Sequence, residues 1–245
     1  MSGAAAVCAS ALLLVAGLAP GVAAAQTAGQ VTFYSGIGAP SGITAGPDGA
    51  LWFANESNNS IGRITTSGTV TNYTSSDIRC PEGITAGPDG ALWFTNLTSI
   101  GRITTSGAVS NFNGKRIGYP AGITAGPDGA LWFTNAEGIN GSVASIGRIT
   151  TSGAVRDFKS KRLMYPGVIA AGSDGALWFS EGSFEIGRIT TSGAVTVYKN
   201  LDILGPSGIT SGPDGAIWFT NESGESIGQI STTAGPADLP NRQLT

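Results

Sequence analysis

The chain contains no histidine in 245 residues, so proton transfer near neutral pH would fall to its carboxylates or its two cysteines. Two glutamates stand out by their place. Glu82 follows Cys80-Pro81 at the start of a short apolar segment, and Glu181 closes the run Trp178-Phe179-Ser180-Glu181. Either could serve as a base where burial raises its pKa. Asn55, Asn96, Asn135 and Asn221 hold the position of Glu181 in four sister segments, while Tyr119 and Tyr165 stand directly before Pro120 and Pro166. Two acids, four amides and two aromatic rings could together bind a small molecule, a peptide or a glycan. The plainer reading of each is a solvated loop group or a side chain closing a turn. Asp48, Asp89, Asp128, Asp174 and Asp214 sit in Pro-Asp-Gly or Ser-Asp-Gly turns. One carboxylate per turn supplies too few oxygens for calcium, so these residues read as turn stabilisers and no metal site is expected. Cys80 reads as a small buried apolar group, because nothing basic enough stands by to activate it.

These residues recur because the sequence itself recurs. Gly-Ile-Thr-Ala-Gly-Pro-Asp-Gly-Ala-Leu-Trp-Phe-Thr-Asn occurs at 83–96 and again, unchanged, at 122–135, with near copies at 42–55, 168–181 and 208–221. Trp52, Trp93, Trp132, Trp178 and Trp218 mark a period of 39 to 46 residues. Each unit then continues through a variable loop, Ser-Ile-Gly-Arg-Ile-Thr, a Thr-Ser-Gly turn and a last apolar segment such as Val195–Tyr198. The segments are short, β-branched or aromatic, and bounded by Gly, Pro, Asp and Ser, which predicts strands. Four strands per unit of about 40 residues predict an all-β fold, a β-propeller of five four-stranded blades. The second strand of each unit is apolar on both faces, as a strand covered by neighbouring blades must be, so its Trp and Phe read as core.

The fifth unit has no fourth segment of its own, but Val31-Thr32-Phe33-Tyr34-Ser35-Gly36 resembles one and precedes the first unit. The expectation is therefore a closed ring whose last blade is completed by this N-terminal strand; the alternative is an open or incomplete arc of a larger propeller. In either case the propeller spans 31–233, followed by an irregular tail at 234–245.

Ala4–Ala19 is apolar and uncharged, and Ala23 and Ala25 suit a signal-peptidase site before Gln26, so 1–25 reads as a signal peptide and the protein as secreted. Cys8 falls in that leader, leaving Cys80 alone in the processed chain with no internal disulfide expected. A net charge of −3 gives no footing for nucleic acid, and no membrane span is expected after cleavage. The protein is expected to be a monomer. Lys115, Arg116, Lys159, Lys161 and Arg162 fall in the connections between units, mixed with acids, and read as solvated loop charges.

Gly46-Pro47-Asp48-Gly49, Leu51-Trp52-Phe53 and Ile61-Gly62-Arg63-Ile64, with their copies, resemble the repeats of the streptogramin B lyase (virginiamycin B lyase) family from about Ser41 to Ile230. The resemblance implies a seven-bladed parent fold and a Mg²⁺-dependent carbon–oxygen lyase that confers antibiotic resistance by opening cyclic depsipeptides through elimination across an ester. It also implies a histidine base directly after the proline that begins strand one. That position carries Ser41, Glu82, Ala121, Gly167 and Ser207 here, and the family's acid before that proline is replaced by Ala39, Cys80, Tyr119, Tyr165 and Gly205. Only Glu181 matches the family's second acid. The expectation is a non-catalytic ligand-binding or interaction module, with candidate contacts Glu82, Glu181, Asn55, Asn96, Asn135, Asn221, Tyr119 and Tyr165. The alternative is a lyase carried by Glu82 and Glu181 with Mg²⁺.

Overall fold

A computed structural model describes residue 29 and residues 31–136 and 144–233. The expected signal peptide and C-terminal tail lie outside these residues. Among the described residues, nineteen strands form five antiparallel sheets. Blade one is β1 (Pro40–Ala45), β2 (Leu51–Asn55), β3 (Ser60–Ile64) and β4 (Val70–Thr74). Blade two is β5 (Ile84–Ala86), β6 (Leu92–Thr95), β7 (Ile100–Ile103) and β8 (Val109–Phe112). Blade three is β9 (Pro120–Ala125), β10 (Leu131–Asn135), β11 (Ser145–Ile149) and β12 (Val155–Lys159). Blade four is β13 (Pro166–Ala171), β14 (Ala176–Glu181), β15 (Glu185–Thr190) and β16 (Val195–Lys199). Blade five has three strands, β17 (Pro206–Ser211), β18 (Ile217–Asn221) and β19 (Ser226–Ile230).

The turn aspartates do more than close their own turns. In blade one, Asp48 Oδ1 accepts a hydrogen bond from the Trp52 indole at 2.9 Å, and Oδ2 accepts one from Arg63 Nε at 2.6 Å. Asp89 with Trp93 and Arg102, Asp128 with Trp132 and Arg148, and Asp174 with Trp178 and Arg188 repeat the arrangement. In blade five, Gln229 replaces the arginine. One carboxylate thus ties the first hairpin to the third strand and satisfies an indole N–H that would otherwise be buried unpaired.

With its nitrogen satisfied, the indole can be core. Trp52 stacks on Tyr73 of the same blade, with centroids 5.3 Å apart, and Trp93, Trp132 and Trp178 stack likewise on Phe112, Phe158 and Tyr198. In blades two to five the opposite face of the second strand carries Leu or Ile and Phe, which lie against the tryptophan face of the preceding blade. Trp52, Ala54, Ile61 and Ile78 of blade one meet Ile84, Leu92, Phe94 and Ile103 of blade two. Three further clusters join blades two to three, three to four and four to five.

Among the described residues, no cluster joins blade five to blade one. Leu51 is 42% exposed and Ile43 63% exposed, where the matching Leu92 and Ile84 are buried. Residues 31–36 form no strand, and β19 has no fourth-strand partner among the described residues. The five blades are therefore an open arc, the alternative of the two arrangements expected, and the N-terminal segment does not close the last blade. The segment nonetheless keeps one outer-strand contact: Tyr34 rests on Gly68 of blade one, as Tyr73 rests on Gly107 of blade two. What the pattern could not supply is the angle between blades, which sets how far an arc of five reaches.

Close approach accounts for two of the glycine positions. A Cβ on Gly101 would lie 2.1 Å from the Phe94 ring, and one on Gly46 would lie 2.3 Å from the Trp52 ring. Gly46 is thus required to seat the indole. Cys80 is also not the free apolar group expected. It is disulfide-bonded, and the sequence's only other cysteine, Cys8, lies outside the described residues.

Two tests follow from this scaffold. Gly101→Ala is expected to lower the unfolding free energy by about 1–3 kcal/mol through overpacking, read by urea titration, with partial recovery in a Phe94→Leu background. The second concerns Asp48, Asp89, Asp128 and Asp174. Burial alone would raise their pKa values, but hydrogen bonds from Trp and Arg outweigh it and hold them below the ordinary 3.8. Their stabilisation is complete above the ordinary carboxylate range and is lost as pH falls through the lowered native pKa. Asp89→Ala should cost about 2 kcal/mol at pH 7 and much less at pH 2, measured by the same titration.

Candidate functional site

The inner strands of the arc wall a groove of about 410 Å³. Its lining is built from residues in or just before the first strands of four blades: small ones such as Ser41, Gly83, Ala121 and Gly167, and apolar ones such as Ile43 and Val168. Small residues are there because the first strands nearly touch. Gly42 N–H donates to Glu82 C=O of the next blade at 2.9 Å, and Ser41 Oγ donates to the same oxygen at 2.9 Å.

Among the described residues lining the groove, Glu82 alone is ionisable. Its backbone is pinned between blades, with its N–H donating to Thr95 C=O at 3.2 Å, while the residue itself remains exposed. The surrounding wall strips enough water from its carboxylate to raise the pKa above the ordinary value, and the negative charge of Glu56 adds to the rise. Of the eight contacts expected from sequence, Glu82 alone lines the groove.

The asparagines are elsewhere in function. Asn55, Asn96, Asn135 and Asn221 are buried, and the last three clamp backbone and strand together. Asn96 Oδ1 accepts from Arg79 N–H at 3.1 Å, while its Nδ2 donates to Asp77 C=O at 2.9 Å and to Ser99 Oγ at 3.1 Å. Asn135 binds Gly118, Arg116 and Ser145 in the same way, and Asn221 binds Leu204, Asp202 and Ser226. Each amide thereby fixes the connection that enters its own blade. Asn55 donates to Ser60 and Asn72 but leaves its own oxygen unpaired. These four residues are corrected from ligand contacts to internal clamps. Burial also removes Asn55, Asn96 and Asn221 as glycosylation acceptors, although each heads an Asn-x-Ser/Thr triplet.

Glu181 is the blade-four version of the clamp and is likewise corrected from a groove contact. It is fully buried, and its Oε1 accepts from Met164 N–H at 2.7 Å and Tyr165 N–H at 2.6 Å. Its Oε2 has no hydrogen-bond partner. Burial raises its pKa, partly offset by the two amide hydrogen bonds, and Glu185 raises it further. Tyr119 and Tyr165 are exposed at 46% and 58% on their connections but do not line the groove. The sequence carried a signal for the clamps that composition alone hides. Wherever strand two ends in Asn, strand three or its approach supplies a Ser; where strand two ends in Glu181, the partner in register is Glu185.

The residues do not fit Mg²⁺. A hard cation needs several oxygens around one point, and no group of three acidic, Cys or His side chains stands together among the described residues. Glu181 already spends one oxygen on two amide protons, and its side chain is closed off from solvent.

Glu181→Gln tests the clamp. It keeps the acceptor for Met164 and Tyr165 and replaces the orphaned oxygen with a donor near Glu185. It should raise stability at pH 7 by on the order of 1 kcal/mol, read as an increased Tm. Because the pKa of Glu181 is raised, the wild-type penalty is relieved as pH falls through it, so the gain should shrink toward acid pH.

Comparison with known proteins gives these features a context. The Virginiamycin B lyase family matches residues 31–240. A virginiamycin B lyase from Staphylococcus aureus superposes with a TM-score of 0.72 at 38% identity, over 80% of this chain and 68% of that one. A streptogramin B lyase gives 0.73 at 33%, over 81% and 67%. A catalytically inactive histidine-to-alanine variant of virginiamycin B lyase from Staphylococcus aureus, with quinupristin, gives 0.71 at 40%, over 81% and 68%. No curated protein matches the chain.

Proposed function

The chain belongs to the virginiamycin B lyase family, and on that premise we propose that it binds a cyclic-peptide-like ligand without opening it. The observation that carries this reading is the absence of any imidazole in 245 residues, beside a formed groove that keeps one carboxylate. Elimination across an ester removes a proton α to a carbonyl and needs a positioned base. The family resemblance places a histidine in that role, and every matching position here carries something else. The Staphylococcus aureus variant that lacks one histidine is described as catalytically inactive and is nonetheless found with quinupristin. Loss of the base and retention of binding are therefore compatible within this family.

The groove has the chemistry for such a ligand. Exposed Ile43 and Val168 offer apolar walls, and Glu82 offers a hydrogen-bond acceptor or an anion for an amide or ammonium group. We place this binding outside the cell on the strength of the apolar leader at residues 4–19.

Quinupristin is the probe for this reading. Calorimetry should show saturable binding that Glu82→Gln weakens by about tenfold or more, the loss of a charge-assisted hydrogen bond. Chromatography with fragment-ion analysis should return the cyclic compound unchanged. Elimination is an isomerisation, so the opposing result is a species of equal mass, shifted retention and linear fragmentation. Its formation, stopped by Glu82→Gln, would establish the lyase instead.

A further inference from the structure

In blade one the register aligns Pro40, at the start of the first strand, with Asn55, Ser60 and Thr74. The connections between blades and the loops between second and third strands therefore share one rim of the arc, and the aspartate and Thr-Ser-Gly turns share the other. The rims differ in chemistry. At the turns, Arg63, Arg102, Arg148 and Arg188 are each held by an aspartate. The connection rim carries Leu97, Tyr119, Met164, Tyr165, Phe184 and Leu201. Apart from the N-terminal segment, the groove and the two ends of the arc, these are the large apolar side chains exposed among the described residues.

Charge is sorted along the connection rim. Glu56, Asp77 and Glu82 stand toward one end, and Asp202, Glu222 and Glu225 toward the other, all exposed. Between them, residues 113–119 and 159–165 bring Lys115, Arg116, Lys159, Lys161 and Arg162, also exposed, and no acid. Asp157, just before the second segment, has a side chain only 8% exposed, with Lys159 Nζ 3.7 Å away. Glu181 is buried, and Glu185 is paired with Lys199 at 3.2 Å. The two segments are neighbours. They lead into β9 and β13, whose blades are linked where Thr134 Oγ1 donates to Gly167 C=O at 2.7 Å. Arg116 Nη1 donates to Val155 C=O at 3.1 Å, which draws the first segment against the strand that carries Lys159.

The backbone of this sector is pinned. Ile117 and Leu163 are buried, Asn135 accepts from Gly118 N–H, and Glu181 accepts from Met164 and Tyr165 N–H. Tyr119, Met164 and Tyr165 are thus presented outward on fixed chain, Met164 at 59% exposure, and none of them lines the groove.

We propose that this sector docks on the surface of a bilayer rich in anionic phospholipid. Lys115, Lys159, Lys161 and Arg162 meet lipid phosphates, while Tyr119, Met164 and Tyr165 enter the headgroup layer. Lysine and arginine reach such a surface on apolar stems, and tyrosine suits a boundary that is wet on one side and apolar on the other. A soluble polyanion would satisfy the cations but leave Met164 and two rings in water. Each cation within a Debye length of the lipid strengthens binding by about fivefold. Repulsion of the acids toward either end of the rim tips the arc so that its middle makes the contact. Contact is with the surface only, since no helix of the described residues is long and apolar enough to cross a membrane.

Flotation of the full chain with vesicles, without quinupristin, tests this. Binding to phosphatidylcholine vesicles with about 30% phosphatidylglycerol should be about tenfold or more tighter than to phosphatidylcholine alone, and should fall steeply as salt rises from about 0.1 to about 0.5 M. Lys161→Glu/Arg162→Glu should weaken it by about tenfold or more. Met164→Ser/Tyr165→Ser should weaken it by about fivefold with the salt dependence retained. Arg79→Glu, the same kind of change outside the sector, should alter it less than about twofold. Circular dichroism checks that each variant is folded, and the lipid and salt dependence of the wild type decide even where one is not. The leader at 4–19 is uncharged, so attachment through it would be equal on both vesicles and indifferent to salt. That result, no binding at all, or an equal loss in Arg79→Glu would each overturn the proposal. Capture by polyphosphate as strong as by the anionic vesicles, with Met164→Ser/Tyr165→Ser without effect, would overturn it in favour of a soluble polyanion.

Discussion

A carboxylate shared between an indole and a guanidinium holds each of the first four blades together, and Gln229 stands in for the guanidinium in blade five. An indole N–H inside a protein must find an acceptor, and a guanidinium lying over a ring must find an anion. Asp48, Asp89, Asp128 and Asp174 serve both needs at once, with one oxygen for each partner. Seating the tryptophan this way lets its faces be apolar contact and nothing else. One face then takes the fourth-strand ring of its own blade, and the same side of the sheet receives the Leu and Phe of the next blade. The inter-blade cores therefore depend on a polar contact at the turn, one element removed from the cores themselves.

The same economy explains why the groove is so plain. First strands that approach within backbone hydrogen-bonding distance leave no room for large side chains, so the groove is lined by what can fit between them. The polar groups that look available in the sequence are consumed in holding the connections. Asn96 and Asn135 each make three hydrogen bonds to backbone and serine, and a buried amide so satisfied has nothing left for a ligand. Blade four departs from this rule. Glu181 retains the acceptor but loses the donor, and its second oxygen is left buried and alone. The backbone there departs as well. Ala39, Cys80 and Tyr119 precede their prolines with left-handed φ values of 45°, 42° and 45°, whereas Tyr165 shows no positive φ and gives its N–H to Glu181.

Much of the fold was legible because it is written five times. Period, turn residues and two-faced apolar strands identify blades without reference to anything distant in the chain. The site was legible only in part. Glu82 could be placed at the start of a first strand, and that place does face the groove. Asn55, Asn96, Asn135 and Asn221 share a sequence position near the same sheet edge, yet a side chain at the end of a strand can turn inward or outward. A serine three to ten residues away decided the direction. The aspartates were read as local turn groups because their Trp partner, four residues on, looked sufficient as core, and because the arginine lies 13 to 20 residues away across two strands.

The sequence by itself determined the strands, their turns, the pairing within each blade, the family and the absence of an imidazole base, because each of these is set by neighbours in the chain or by composition. Tertiary structure decided whether the ring closes, which polar groups face inward, and which acid reaches the groove. Those depend on the angle at which one blade settles on the next. That angle is a sum of contacts between Trp and Leu-Phe faces some 40 residues apart, and no local pattern encodes it.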